Sequence, residues 1–356
     1  MSDLKIQSYR RQYEVVFAYL NTRLVNSLVK DTFLIIDSNV DRFYPEIAAY
    51  FNHDRIVVIE ASEKTKTLTG CEEVLKLLVE RGMKKNHKLL AVGGGVTQDI
   101  TSFVASVLYR GVEWEFLPTT LLAQADSCIG SKTSINFANA KNLLGTFYPP
   151  SKIYCCLEFL ETLSIDDVKS GIGEMLHYFL YADSPLAVEI MNNYSTLLKN
   201  REGLEKYILA SLEIKKEMIE KDEFDQTIRR VFNYGHTFGH AIEALSDYTV
   251  SHGQAVTRGM DIANFVALRR GLISQETYDE LHKVLEKNLP SYQIDPKDLD
   301  AYFKLLSKDK KNIGKSVVCI LPYGKGDLRV TPIKDLRTFK AQLAEYWRTR
   351  DEHSTQ

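Results

Sequence analysis

"KLLAVGGGVTQDITSFVASVLYRG", residues 88–111, reads as a buried strand, a glycine turn and an amphipathic helix. Glycines at such a turn let the backbone approach a diphosphate, and the helix N-terminus favours the anion. With no ligand the same residues make a tight strand-to-helix turn. The spacing is not GxGxxG, so the Rossmann fingerprint itself is absent. The flanking sequence repeats the rhythm. "TFLIIDSNV" (32–40), "RIVVIEAS" (55–62) and "VEWEFLPTTLLAQADS" (112–127) contain strand runs, and "EEVLKLLVERGM" (72–83) has helical spacing. Alternating strands and helices predict an α/β fold, a parallel sheet covered by helices. Carboxyl ends of parallel strands share one edge, where ligands bind. Asp37 and Asn39 end one strand, and Glu63 and Lys66 follow another. A carboxylate at that edge can accept ribose hydroxyls, although a plain loop surface has the same composition.

The second half is different. From about Pro150 onward helical periodicity dominates, over 166–183, 186–198, 202–220, 235–247, 254–270, 274–288 and 297–307. A chain of 356 residues exceeds one comfortable core. Pro149-Pro150 marks the expected boundary, giving an α/β domain over 1–150 and a mostly helical domain over 151–356. "KSVVCILPYG" (315–324) reads as a late strand or hairpin, and the polar tail "YWRTRDEHSTQ" is expected to fray.

Bulk chemistry excludes several classes. A net charge of −2 leaves no footprint for nucleic acid. No apolar run reaches bilayer length, and the charged N-terminus has no signal-peptide core, so no membrane partner is expected. The five cysteines are scattered without a CxxC, which predicts a reduced, cytoplasmic interior and no cysteine metal site.

Two stretches carry chemistry. "AQADSCIGSKTSINFANAKNLLG" (123–145) sets Asp126, Lys132, Lys141 and Asn142 among small residues. Such a cluster suits a phosphate or polyol pocket, and a solvated loop is its plain alternative. "NYGHTFGHAIEALSDYTVSHGQAV" (233–256) places His236 and His240 four apart, on one helix face, with His252 following. That spacing can present two imidazoles to one ion, but no Glu follows the first His, so the HExxH reading fails. A catalytic zinc commonly takes three protein ligands. "SGIGEMLHY" (170–178) offers Glu174 as a carboxylate, with His177 one turn later. A carboxylate at a helix start can equally be a dipole cap.

Together these segments resemble the 3-dehydroquinate synthase family, within the wider sugar phosphate cyclases. The matching motifs are "GGGVTQD", "LYRGVEWEFLPTTLLAQADSCIGSKTSIN", "KNLLGTFYPP", "SGIGEM", "NYGHTFGHAIE" and "HGQAV", in family order across about residues 35–325. The resemblance implies an N-terminal Rossmann-like NAD-binding domain, a helical metal domain and an active site in the cleft between them. It implies Glu174, His236 and His252 as ligands of Zn²⁺, with Co²⁺ equally suited. His240 and Asn233 then belong to the sugar phosphate pocket. Asp126, Lys132, Asn142, Lys215 and Arg229 match positions that hold substrate hydroxyls, carboxylate and phosphate, and Lys310 is a further phosphate contact. Arg110 matches an arginine that reaches the neighbouring subunit's site, which implies a homodimer. Asp37, Asn39, Glu63, Lys66, Gly94, Gly95, Asp99, Thr119, Thr120, Lys141 and Thr162 resemble the NAD contacts. The implied reaction oxidises a sugar phosphate hydroxyl with NAD, eliminates phosphate, returns the hydride and closes a carbocycle by an aldol step.

Three residues depart from the family pattern. His177 stands where a lysine is usual, Ser131 replaces a glycine in "IGSKT", and Gln98 replaces a glycine in "GVTQD". An imidazole is not an equivalent substrate contact to lysine. Lys215 and Arg229 suit a carboxylate-bearing substrate and favour the seven-carbon acid phosphate of a dehydroquinate synthase. The alternatives are a cyclase acting on sedoheptulose 7-phosphate or glucose 6-phosphate, and an inactive relative that binds NAD and metal. An iron-type alcohol dehydrogenase shares the layout, but the lysine cluster argues for phosphate elimination.

Overall fold

Runs that are apolar on both faces are stable only inside a sheet covered on both sides. The computed structural model describes residues 3–138, 140–201, 203–307 and 316–354. Its strands are β1 (Leu4–Gln7), β2 (Gln12–Phe17), β3 (Thr32–Asp37), β4 (Ile56–Ile59), β5 (Lys88–Gly93), β6 (Glu113–Pro118), β7 (Ile135–Phe137), β8 (Ala140–Leu144), β9 (Lys152–Cys155), β10 (Val317–Gly324) and β11 (Asp327–Ile333). Seven of them form one sheet in the order β1-β2-β9-β6-β5-β3-β4. Only the β1-β2 pair is antiparallel. The parallel α/β sheet expected from the strand–turn–helix rhythm is therefore present. Leu34, Ile36, Leu90, Val92 and Leu117 fill its core on one face.

The chain divides into two compact units, Met1–Ser164 with Ile208–Asp225, and Ile165–Tyr207 with Gln226–Gln356. The first unit runs past the Pro149-Pro150 pair because β9 lies beyond it and fills the sheet between β2 and β6. It also takes in most of helix Leu204–Lys221. The hairpin β1-β2 was hidden in a charged N-terminus. Its signal is alternation: Leu4, Ile6, Tyr13, Val15 and Phe17 are buried between exposed or half-buried neighbours.

The second unit is built on helices Ile165–Tyr181, His236–Leu245 and His252–Arg269. The expected helix over 186–198 is two short helices, Leu186–Asn192 and Tyr194–Lys199, broken at Asn193. The late apolar run is strand β10, paired antiparallel with β11. The tail corrects an expectation, since helix Leu336–Ser354 takes in residues 346–354 of the stretch expected to fray, and 355–356 lie outside the described residues. Phe339, Leu343, Tyr346 and Trp347 recur at helical spacing and are all buried, which holds it. No helix among the described residues is long and apolar enough to cross a membrane.

Leu90 is fully enclosed in the first unit's sheet. Leu90→Ala should cost about 3 kcal/mol, through lost apolar contact and the cavity left behind. Urea denaturation checks this, and a loss below about 1 kcal/mol would contradict a close-packed sheet.

Candidate active site

Helices Ile165–Tyr181 and His252–Arg269 touch backbone to backbone. A Cβ on Gly173 would lie 2.1 Å from the Gly253 carbonyl oxygen, and one on Gly253 would lie 1.8 Å from that of Ser170. Helix His236–Leu245 is seated the same way, since a Cβ on Gly259 would lie 1.9 Å from the Gly235 carbonyl oxygen. No side chain larger than hydrogen fits at these crossings. Each glycine contact has a chemistry-bearing neighbour in sequence: Glu174 follows Gly173, His252 precedes Gly253, and His236 follows Gly235.

The three side chains converge. Glu174 Oε1 is 3.6 Å from His236 Nε2 and 3.1 Å from His252 Nε2, and the two rings are 5.4 Å apart. Glu174 Oε1 is buried and has no aligned hydrogen-bond partner among the described residues. A buried carboxylate oxygen in that state is costly. One oxygen and two imidazole nitrogens pointing at a common space fit a divalent cation with an open coordination position. The donor set therefore suits the metal that the sequence implied.

Neighbouring groups orient these donors. His252 Nδ1 is 3.0 Å from Glu243 Oε2, and His236 Nδ1 is 3.2 Å from the Tyr234 carbonyl. Such contacts on the far nitrogen fix ring orientation and aim Nε2 at the space shared with Glu174. Burial alone would lower the His252 pKa, but Glu243 and Glu174 outweigh it and hold the imidazole well above its ordinary value. A divalent cation held at Nε2 would take the place of that proton. Glu243 was not found from sequence, and its only signal is its place one turn after His240.

His240 is exposed, with its ring 5.5 Å from His236 and stacked 5.6 Å from His252. It also forms a second close group with Glu243 and His252. His177 is fully buried, against the rings of Tyr178 at 4.9 Å, His236 at 5.3 Å and Phe232 at 5.6 Å. It packs on a candidate metal ligand instead of facing solvent. Arg229 is buried and Asn233 donates to the Arg230 carbonyl at 3.0 Å, both in the turn Ile228–Asn233. Lys310 lies outside the described residues.

The first unit gathers the other candidates. Parallel strands place Asp37 at the end of β3, Gly94 and Gly95 after β5, and Thr119 and Thr120 after β6, along one sheet edge. Helix Gly95–Val107 has no side-chain cap, so its first amides are open to an anion. That open terminus fits a dinucleotide diphosphate. Asp37 accepts from the Asn39 amide at 2.9 Å, and Thr162 lies 3.3 Å from the Tyr44 hydroxyl. Buried Lys66 ties the edge together, reaching Asp99 at 3.1 Å, Glu63 at 3.3 Å and Asn142 at 2.9 Å. Asn142, expected at the sugar, thus sits with the candidate nucleotide residues. Lys141 lies close enough to Glu63 to help hold its charge.

The substrate candidates of this unit are paired with acids. Lys215 Nζ lies 2.8 Å from Asp126 Oδ1, and Lys132 Nζ lies 2.6 Å from Asp225 Oδ2. Tyr109 and Arg110 adopt left-handed backbone, with φ of 51° and 63°, which sets exposed Arg110 on a sharp turn before β6. Asp225 and the Ser134 and Asn136 side chains around Asp99 and Glu63 escaped the sequence reading. Nothing in its local sequence marks Asp225, whereas Ser134 and Asn136 lie in the matching stretch that ends "SKTSIN".

Comparison with known proteins follows this geometry. The family described as 3-dehydroquinate synthase N-terminal matches residues 56–170, and that described as 3-dehydroquinate synthase C-terminal matches residues 171–312. A 3-dehydroquinate synthase of Alkaliphilus metalliredigens (strain QYMF) is 35% identical over 314 residues, 86% of this chain and 88% of that protein. The chain belongs to the 3-dehydroquinate synthase family.

Solved structures agree on the fold of this family member. ValA, a 2-epi-5-epi-valiolone synthase from Streptomyces hygroscopicus subsp. jinggangensis 5008 with NAD+ and Zn2+ bound, matches with a TM-score of 0.82 at 27% identity, over 96% of this chain and 98% of that one. A 2-deoxy-scyllo-inosose synthase complexed with carbaglucose-6-phosphate, NAD+ and Co2+ matches with a TM-score of 0.81 at 23% identity, over 98% and 100%.

Two outcomes check the site. His236→Ala and His252→Ala should each lose bound divalent metal, by about 1,000-fold or more in affinity, because two ligands hold it poorly. His240→Ala should keep the metal. Equal loss in all three, measured by metal titration, would contradict the assignment. The second outcome concerns Lys66. Burial opposes its charge, but Asp99 and Glu63 outweigh burial and raise its pKa. Burial would raise Glu63 as well, yet Lys66, Asn136 and Lys141 hold its carboxyl below the ordinary range. Glu63 therefore contributes stability above the ordinary carboxylate pKa, which is lost as pH falls through its lowered value. Lys66→Met should cost about 2 kcal/mol near pH 7, with Asp99 and Glu63 left facing each other. The gap should narrow toward about pH 4, where the variant's buried carboxylates, without Lys66, take up protons more readily than the native pair. Denaturation at both pH values measures it, and a gap that widens at low pH would refute the ion-pair account.

Proposed function

We propose that this protein is a sugar phosphate cyclase of the 3-dehydroquinate synthase type, a carbon–oxygen lyase using NAD and Zn²⁺ or Co²⁺. The convergence of Glu174, His236 and His252 on one point, in a chain of this family, carries the proposal. The relatives with NAD+ and Zn2+ or Co2+ support the same cofactors. When bound, NAD takes and returns a hydride, and the divalent cation acidifies the hydroxyl to be oxidised.

The protein's own residues do the rest of the proposed work. Lys132, Lys215 and Arg229 supply positive charge for phosphate and carboxylate, and Lys310 adds to it. Asp126 orients Lys215 and is proposed to meet a substrate hydroxyl. His240, exposed beside the candidate ligands, relays a proton between substrate and solvent. Lys66 and Asp99 hold the loop residues that surround the dinucleotide. Working as a homodimer lets Arg110 reach the neighbouring site.

The substrate favoured is the seven-carbon acid phosphate, because Lys215 and Arg229 suit a carboxylate. A second reading is a sedoheptulose 7-phosphate or glucose 6-phosphate cyclase. The buried His177, standing where the family pattern has a lysine, favours it. Purified protein with NAD and Zn²⁺, given each of the three sugar phosphates, should release phosphate without net NADH. Release from the acid phosphate alone supports the first reading, and sedoheptulose turnover without it supports the second. No release from any would defeat both.

A further inference from the structure

The segment that carries Asp126 is one turn of π-helix, Ala123–Ser127, closed by the Cys128 amide donating to the Ala123 carbonyl at 3.0 Å. Such a turn leaves backbone carbonyls without their usual helical partners, and π-turns concentrate at functional sites. Here three consecutive carbonyls are each met by a side chain. Ser211 Oγ donates to Ala125 O at 2.9 Å, Lys215 Nζ to Asp126 O at 2.7 Å, and Gln98 Nε2 to Ser127 O at 2.6 Å. Gln98 also accepts from Ser127 Oγ at 2.7 Å. Both ends of one amide thus hold one residue, at a position only 6% exposed.

Gln98 has no part in the chemistry described above, yet its location is informative. It lies in the first turn of helix Gly95–Val107, with its own amide bonded to the Gly94 carbonyl at 3.0 Å. Asp99, which receives Lys66, is the next residue. The clamp therefore ties the start of the nucleotide-edge helix to the residue adjoining Asp126. We propose that Gln98 is a positioning residue: its two-point hydrogen bond to Ser127 fixes the π-turn and so aims the Asp126 carboxylate at the sugar phosphate. This inference rests on the role given to Asp126 above. The clamp leaves the Gly94 and Gly95 amides untouched, so its effect falls on the sugar phosphate and not on the dinucleotide.

The test uses the full-length holoprotein and the variants Gln98→Met, Ser127→Ala and their combination. Methionine keeps the volume and removes both hydrogen bonds. Gln98→Met should lower kcat/KM for the sugar phosphate about tenfold. NAD affinity should stay within about twofold, because the helix N-terminus keeps its amides. In the double variant the second substitution should add little, since the pair acts as one contact. Amide exchange across residues 123–132 should rise in Gln98→Met, and this reads the clamp without any turnover. Unchanged exchange would overturn the clamp. Raised exchange with unchanged kcat/KM, independent additive losses, or an equal loss of NAD affinity would overturn the positioning role. A wild-type protein that binds NAD but releases no phosphate would defeat the cyclase reading and this role with it, while exchange still reports on the clamp itself.

Discussion

Everything at the candidate metal centre depends on how closely three helices approach. At Gly173 and Gly253 one backbone lies against another, and Gly235 and Gly259 make the second contact. A helix pair separated by ordinary side chains has axes 8–10 Å apart. Contact through glycine draws the axes closer, so residues adjoining the contact can reach a shared point. Glu174, His236 and His252 do so. The arrangement concentrates a buried carboxylate oxygen and two imidazoles, with Glu243 on the far side of His252. Without a cation such a cluster is costly, and the imidazolium of His252 offsets part of that cost. A divalent cation would give the three donors one shared partner.

The first unit solves a different problem. A parallel sheet places strand ends on one edge, and polar residues gathered there must be reconciled with burial. Lys66 ties them together. Its burial is tolerated because Asp99, Glu63 and Asn142 surround its ammonium group. The π-turn repeats this logic in the backbone. Carbonyls that a regular helix would satisfy internally are met by Ser211, Lys215 and Gln98. Side chains far apart in sequence therefore decide the shape of the loop that carries Asp126.

Much of this is legible in the amino-acid sequence. Strands β3, β5 and β6 show as apolar runs because both their faces are covered, and edge strand β4 shows as a shorter one. The helices of the second unit show as 3.6-residue periodicity. The short β1, β2 and β9 did not show. In β1 and β2 the buried residues alternate with polar ones inside a charged stretch, and β9 follows two prolines that read as a boundary. Helix Leu336–Ser354 was hidden by its polar residues, although Phe339, Leu343, Tyr346 and Trp347 mark one face. At the site, the three metal-ligand candidates were found through motif spacing and resemblance. Glu243 and Asp225 were not, because a carboxylate facing a histidine or lysine from another element leaves no local trace.

The amino-acid sequence by itself determined the class of fold, the family and the residue types able to bind a metal, a dinucleotide and a phosphate. Those follow from periodicity and motif order, which are properties of neighbouring residues. Tertiary structure alone decided which groups meet. It packs His177 among aromatic rings, sets Glu243 on His252, gives Asn142 to Lys66 and closes Gln98 on Ser127. The reason is physical: each of these contacts joins residues from different elements or loops, and their distance depends on backbone packing that no local pattern encodes.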